Sequence, residues 1–118
     1  MRLSDDLRER TKRFASDVIH LYVSLPKQRK EGEVLGNQLL RSGTSVAAHA
    51  REASRARSDM EFCSKLDGLL QEADESQLWI ELLRDDCAIN NMQINHLHGE
   101  TNELLAIFAT MVAKIRRD

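Results

Sequence analysis

Arg41-Ser42-Gly43-Thr44-Ser45 is the stretch on which the fold of this 118-residue chain turns. Its helix propensity is poor, and Gly43 alone costs about 1 kcal/mol relative to alanine in a helix interior. Read as a loop, it cuts the segment from Glu33 to Ala53 in two. Read as helix, it belongs to one long element whose small residues admit a close neighbour, with Ser and Thr hydroxyls bonding back to carbonyls one turn earlier. The five residues alone leave both readings open. On either side, Val34, Leu35, Leu39, Val46 and several alanines supply an inward-facing stripe.

Toward the amino terminus, Ser4 is a helix N-cap type, and Asp5 and Asp6 suit the positive end of the dipole of a helix over 4–25. Leu7, Phe14, Val18, Leu21, Tyr22 and Leu25 form its apolar stripe at spacings of three, four and seven. Pro26 ends it, and Lys27-Gln28-Arg29-Lys30-Glu31-Gly32 reads as a connector to a helix over 33–53. Toward the carboxyl terminus, Ser58-Asp59-Met60-Glu61 is a capping box that opens a helix over 58–86, with Phe62, Leu66, Leu69, Ala73, Ile80 and Leu83 facing inward. Leu78, Trp79, Ile80, Leu82 and Leu83 together sweep about 200° of that helix. One core-facing stripe needs only about 100°, so a second buried surface is expected there. A fourth helix, over 91–116, carries Leu97, Leu104, Phe108, Met111 and Ile115, and Lys114, Arg116 and Arg117 suit its negative end. Four amphipathic segments with short connections predict an all-α fold, an antiparallel up-and-down four-helix bundle, as one domain over 1–118.

Composition agrees: one proline and five glycines leave little to punctuate strands, and 42% hydrophobic with 31% charged residues suits a folded, soluble chain. No signal-peptide core and no membrane-length apolar window is present, so the expected location is the cytoplasm. Cys63 and Cys87, read as lying in the third helix 24 residues apart, would be separated by about 36 Å along an unbroken helix, too far to bridge. Buried thiols are expected. The net charge is only −2, yet residues 1–59 carry 12 Lys/Arg against 8 Asp/Glu, or +4, and residues 60–118 carry 5 against 11, or −6. Such asymmetry marks either a partner-binding face or two differently charged solvated helices.

Constellations for chemistry are sparse. A di-iron bundle needs Glu-x-x-His pairs, and the nearest spacings, Asp17 with His20 and His49 with Glu52, do not supply them. His96 and His98 diverge by about 200° on a helix and read as solvated. Glu72, Asp74, Glu75 and Glu81 read as an acidic exposed face rather than an acid–base pair. No phosphate-binding loop or nucleophile elbow occurs, so no catalytic residue, metal site or cofactor is expected.

The ordered run Gly36-Asn37-Gln38-Leu39-Leu40-Arg41-Ser42-Gly43-Thr44-Ser45-Val46, followed by Arg51-Glu52-Ala53, Arg55-Ala56-Arg57-Ser58, Glu61-Phe62, Lys65-Leu66 and Glu72-Ala73-Asp74-Glu75-Ser76, resembles the bacterial four-helix bundle proteins associated with intervening sequences in 23S ribosomal RNA genes. A related branch comprises accessory proteins of diversity-generating retroelements, which bind nucleic acid and reverse transcriptase. The resemblance implies that Arg41–Val46 is helical and that the protein is a homopentamer. Two departures stand out: His49 and Ala50 precede Arg51-Glu52-Ala53 where the family commonly has Asn and a bulky residue, and this chain is slightly acidic where the retroelement branch is basic.

The one basic constellation is Arg41, Arg51, Arg55 and Arg57. Arg41 and Arg55 lie about four helical turns apart, so they share a face if the helix is continuous. These arginines can bind phosphate, or pair with Glu52, Glu72 or Glu75 across helices or subunits. The expected function is a non-enzymatic oligomeric scaffold that holds RNA or DNA on these four residues, the alternative being a protein-interaction module without nucleic-acid contact.

Overall fold

Ser4 and Ser58 cap helices as their sequence positions suggest. The Ser4 hydroxyl accepts the Leu7 amide at 3.1 Å, and that of Ser58 accepts the Glu61 amide at 3.0 Å. The computed structural model describes residues 3–117 and contains four helices and no strand among them. They are α1 (Asp5–Ser24), α2 (Lys30–Ser54), α3 (Asp59–Asp85) and α4 (Met92–Arg117). Asn91 caps α4 by accepting the Ile94 amide at 2.9 Å.

Arg41 to Ser45 is helical, in the middle of α2. Thr44 donates to the Leu40 carbonyl at 2.8 Å and Ser45 to that of Arg41 at 2.8 Å, so the hydroxyls are satisfied by the preceding turn. Gly43 is buried because α1 crosses there: a Cβ on it would lie 2.9 Å from Val18 Cγ2. Ser42, one residue earlier, meets Ser76 of α3 through a buried hydroxyl pair at 2.7 Å. The helix-poor run is thus where α2 is held between two neighbours.

The core runs the length of the molecule, which measures 49 × 21 × 20 Å. Phe14, Leu21, Leu39, Phe62, Leu66, Ile80, Leu97 and Phe108 are among its fully buried side chains. Each helix packs on its sequence neighbour, and α1 also packs on α4. Tyr22 donates to Asn37 at 2.7 Å, Arg41 pairs with Glu75 at 3.0 Å, Gln77 donates to Asn102 at 2.6 Å, and Arg10 donates to Glu100 at 2.7 Å. The α1–α4 contact is the thinnest of the four.

Several expectations are corrected. Helix α2 begins at Lys30 rather than Glu33, on an N-cap, Arg29, whose side chain makes no capping bond, so the polar connector shortens by three residues. Cys87 lies beyond α3, which ends at Asp85; both cysteines are buried and free, as expected. Val34 is 49% exposed rather than inward. The wide apolar sweep of α3 is only partly covered: Leu78 is 46% exposed, and Trp79 is half-buried with its Nε1 shielded yet without an acceptor. His98 is half-buried rather than solvated, with Nε2 2.9 Å from Glu81 Oε2.

Candidate nucleic-acid interface

The four arginines singled out by sequence occupy three different settings. Arg41 reaches across to α3, where its guanidinium lies 3.0 Å from Glu75 and 3.4 Å from Glu72. This is the cross-helix pairing that the spacing allows. Helix α2 runs unbroken to Ser54 with Arg55 as its C-cap, yet Arg55 does not join Arg41 against α3. Arg51 and Arg55 instead line a groove between the start of α1 and the end of α2. Arg57 stands in the α2–α3 connection, its side chain 90% exposed and 3.8 Å from Glu61.

The groove has a volume of about 690 Å³. Thr11, Ala47 and Ala48 are its small residues, and Arg8, Lys12, Arg51 and Arg55 bring positive charge to it. Of its acids, Asp5 is engaged by Arg8, while Glu52 lies 3.3 Å from His49 and 3.7 Å from Lys65. Lys12, Arg51 and Arg55 have no ion-pair partner among the described residues. Arg8 and Lys12 were not singled out by sequence, although they sit four residues apart and so share one face of α1. The signal was available as spacing; only the fold reveals that this face adjoins Arg51 and Arg55.

The charge asymmetry seen between sequence halves becomes one basic end set against an acidic remainder. The groove joins the start of α1 to the end of α2, Lys65 pairs with Glu52, and Arg116 pairs with Asp67 at 2.6 Å. These contacts gather residues 3–13, 47–68 and 110–117 at one end, with 11 Lys/Arg against 7 Asp/Glu, a formal +4. Residues 14–46 and 69–109 make up the remainder, with 5 against 11, a formal −6. The 49 Å body is several times the Debye length of about 10 Å at 0.1 M salt, so the basic end presents its own field to a charged partner.

Of the four acidic residues weighed for acid–base chemistry, three meet basic side chains of neighbouring helices and Asp74 is exposed. Glu72 and Glu75 receive Arg41, and Glu81 meets His98. Arg10 forks onto Glu100 at 2.7 and 2.8 Å and reaches Glu103 at 3.1 Å; the Glu100 bonds chiefly push its pKa above the ordinary arginine value. Among the described residues, no group of three or more His, Cys, Asp or Glu side chains is placed to hold a metal ion, and no helix is long and apolar enough to cross a membrane.

Four helices closed around one apolar core, with charge separated along the long axis, define a small all-helical protein whose distinguishing feature is its surface field. The chain belongs to the 23S rRNA-intervening sequence protein family, which matches it over residues 5–110. It is also similar to a solved protein of unknown function from the S23 ribosomal protein family of Bacteroides thetaiotaomicron. The two are 33% identical with a TM-score of 0.80, over 89% of this chain and 96% of the other. A comparison with curated proteins gives no match.

Proposed function

We propose that this protein is a non-enzymatic homo-oligomeric scaffold, a homopentamer of single-domain chains spanning 1–118, that holds RNA or DNA by its phosphates at the basic end. The observation that carries the reading is the basic end, a formal +4 against −6 for the remaining described residues, where Arg51 and Arg55 are free of ion-pair partners among the described residues. The bundle is antiparallel and up-and-down in this reading. Val18 meets Gly43 while Tyr22, further along α1, meets the earlier Asn37, and the other helix pairs run in opposite senses likewise. That topology is what brings the basic segments of all four helices to one end.

Arg51, Arg55 and Arg57 are the phosphate contacts. Arg41, the fourth arginine of the constellation, would contribute on exchanging Glu72 and Glu75 for phosphate. No aromatic side chain lines the groove, so the contacts are to backbone and independent of sequence. The family's association with an rRNA-intervening sequence agrees with a nucleic-acid partner, and the cytoplasm is the corresponding location. In a ring, the modest charge of each chain is repeated, so one polymer that spans several subunits binds through effective concentration.

The test is binding of the purified oligomer to mixed RNA and DNA across a salt series. Affinity should fall steeply as salt rises, since each neutralised phosphate releases counterions. The double variant Arg55→Glu/Arg57→Glu should lose binding and keep the oligomer. Absence of binding at low salt, or equal binding by the variant, would leave a protein-interaction module as the better reading. Exposed Ile19, Val23, Val34 and Leu78 would then mark its surface.

A further inference from the structure

We infer that the groove between α1 and α2 is a track for a single phosphodiester strand, with Lys12 of α1 completing the contacts made by Arg51 and Arg55 of α2. The inference rests on the nucleic-acid reading above and assigns the substrate form and a further binding residue. Three observations support it. The first is the balance of charges inside the groove. Arg8 is held by Asp5, and Glu52 is occupied by His49 and Lys65. Lys12, Arg51 and Arg55 remain against Glu9, and the lining as a whole sets four cations against three carboxylates, a net positive charge toward an anion.

The second is shape. At about 690 Å³ the volume would suit a compact ligand, but such pockets are mostly apolar, whereas this lining holds seven charged side chains. Thr11, Ala47 and Ala48 are short, so a backbone can approach the helices closely along the groove. Arg51 and Arg55 are one helical turn apart and stand side by side along the track rather than on one point. Lys12 approaches from the facing helix. Two cations on one wall and one on the other clasp a chain of phosphates better than an isolated anion.

The third is extent. The lining runs from Asp5 to Lys12 on α1 and from Ala47 to Arg55 on α2, about 10–12 Å along the helices at about 1.5 Å per residue, so the groove takes a short stretch of one strand. A duplex, whose major groove alone is about 12 Å wide, meets only the rim. This preference opposes simple electrostatics, because a duplex carries the denser charge and binds more strongly to a merely positive surface. Single-strand preference therefore separates a groove from a diffuse basic patch.

The experiment is fluorescence anisotropy of the intact oligomer with labelled single-stranded RNA, single-stranded DNA and a duplex of equal phosphate number, from about 50 to about 200 mM salt. Both single strands should bind more tightly than the duplex. Lys12→Ala and Arg51→Ala should each reduce the slope of log affinity against log salt by about 0.7, the increment for one phosphate on a single strand. Lys12→Glu should weaken binding on the order of tenfold at low salt, a loss of one strong phosphate contact plus an added repulsion. Lys30→Glu, which changes charge equally at the other end, should leave affinity within about twofold, because that site lies beyond the screening length. Unchanged melting curves would show that the variants fold. Duplex binding as tight as single-strand binding overturns the inference, as does equal weakening by Lys30→Glu and Lys12→Glu. If the wild type binds and Lys12→Glu binds as well, the groove assignment fails while the broader function stands; if the wild type does not bind, both fail.

Discussion

Gly43 shows how a residue that local propensity disfavours is held in place by its neighbour. A methyl group there would lie 2.9 Å from Val18 Cγ2 and 3.0 Å from Cγ1, and Val18 is fully buried. A β-branched side chain has little rotamer freedom with which to yield, so α1 itself would have to move. Overpacking of this kind costs about 1–3 kcal/mol, against about 1 kcal/mol gained by replacing glycine with alanine in a helix. Gly43→Ala should therefore destabilise by up to about 2 kcal/mol once the propensity gain is subtracted. A methyl group on Gly99 of α4 would meet nothing within 4 Å, so Gly99→Ala should instead stabilise by up to about 1 kcal/mol. Urea midpoints of the two variants should move in opposite directions, and a common direction would refute the contact argument. Sequence left the Arg41–Ser45 run open for the same reason. Its cost is local and countable, whereas its benefits, the Val18 crossing and the buried Ser42–Ser76 bond, come from helices elsewhere in the chain.

At the level of elements, legibility followed the chemistry of the helix ends. Helices α1 and α3 were readable to within a residue because Ser4 and Ser58 supply side-chain caps. The start of α2 was misplaced by three residues because Arg29 offers no such cap, and Lys30-Glu31-Gly32 has no apolar member to extend the stripe. The apolar spacing of α1 identified its core face but drew attention from Arg8 and Lys12, which share a groove with residues of α2. The α1–α4 seam could not be read at all, since it joins residues far apart in the chain: the hydrogen bond from Arg10 to Glu100 spans 90 positions. That seam is thin, and Arg10 bridges it with a fork onto Glu100 and a third bond to Glu103. The Glu100 side chain is only 15% exposed, so losing its partner leaves a poorly hydrated carboxylate. Arg10→Gln should lower stability by about 1 kcal/mol, reduced from the value for a fully buried charged hydrogen bond because the Arg10 side chain is itself partly solvated. The deficit should narrow as salt is added to the wild type and variant alike, and a chemical denaturation series in low and high salt measures it.

For the whole molecule, the separation of charge along 49 Å constrains how copies can assemble. A closed cyclic ring relates every chain by rotation about one axis, so all subunits point the same way. If the bundles stand along that axis, every +4 end lies on one rim, with the acidic remainder of each chain below it. Like ends are then neighbours, and their repulsion opposes the ring while concentrating positive potential on one face for a polyanion. Apolar contact must supply the attraction, and the exposed Ile19, Val23, Val34 and Leu78 are surfaces available for it. The two salt dependences consequently have opposite signs. Salt screens repulsion between like rims and strengthens apolar burial when the anion is sulfate, so the oligomer should persist or tighten as ionic strength rises. Nucleic-acid binding should weaken over the same range as counterion release becomes less favourable. Light scattering at micromolar concentration should give about five times the 13.5 kDa chain mass in moderate salt, with any loss of mass appearing first at low salt. Added single-stranded RNA should restore the mass at low salt by neutralising the positive rim. A mass of 13.5 kDa in moderate salt would refute the ring. An oligomer that instead dissociates as salt rises would place ion pairs between opposite ends at the interface, an arrangement that a ring of parallel bundles does not contain.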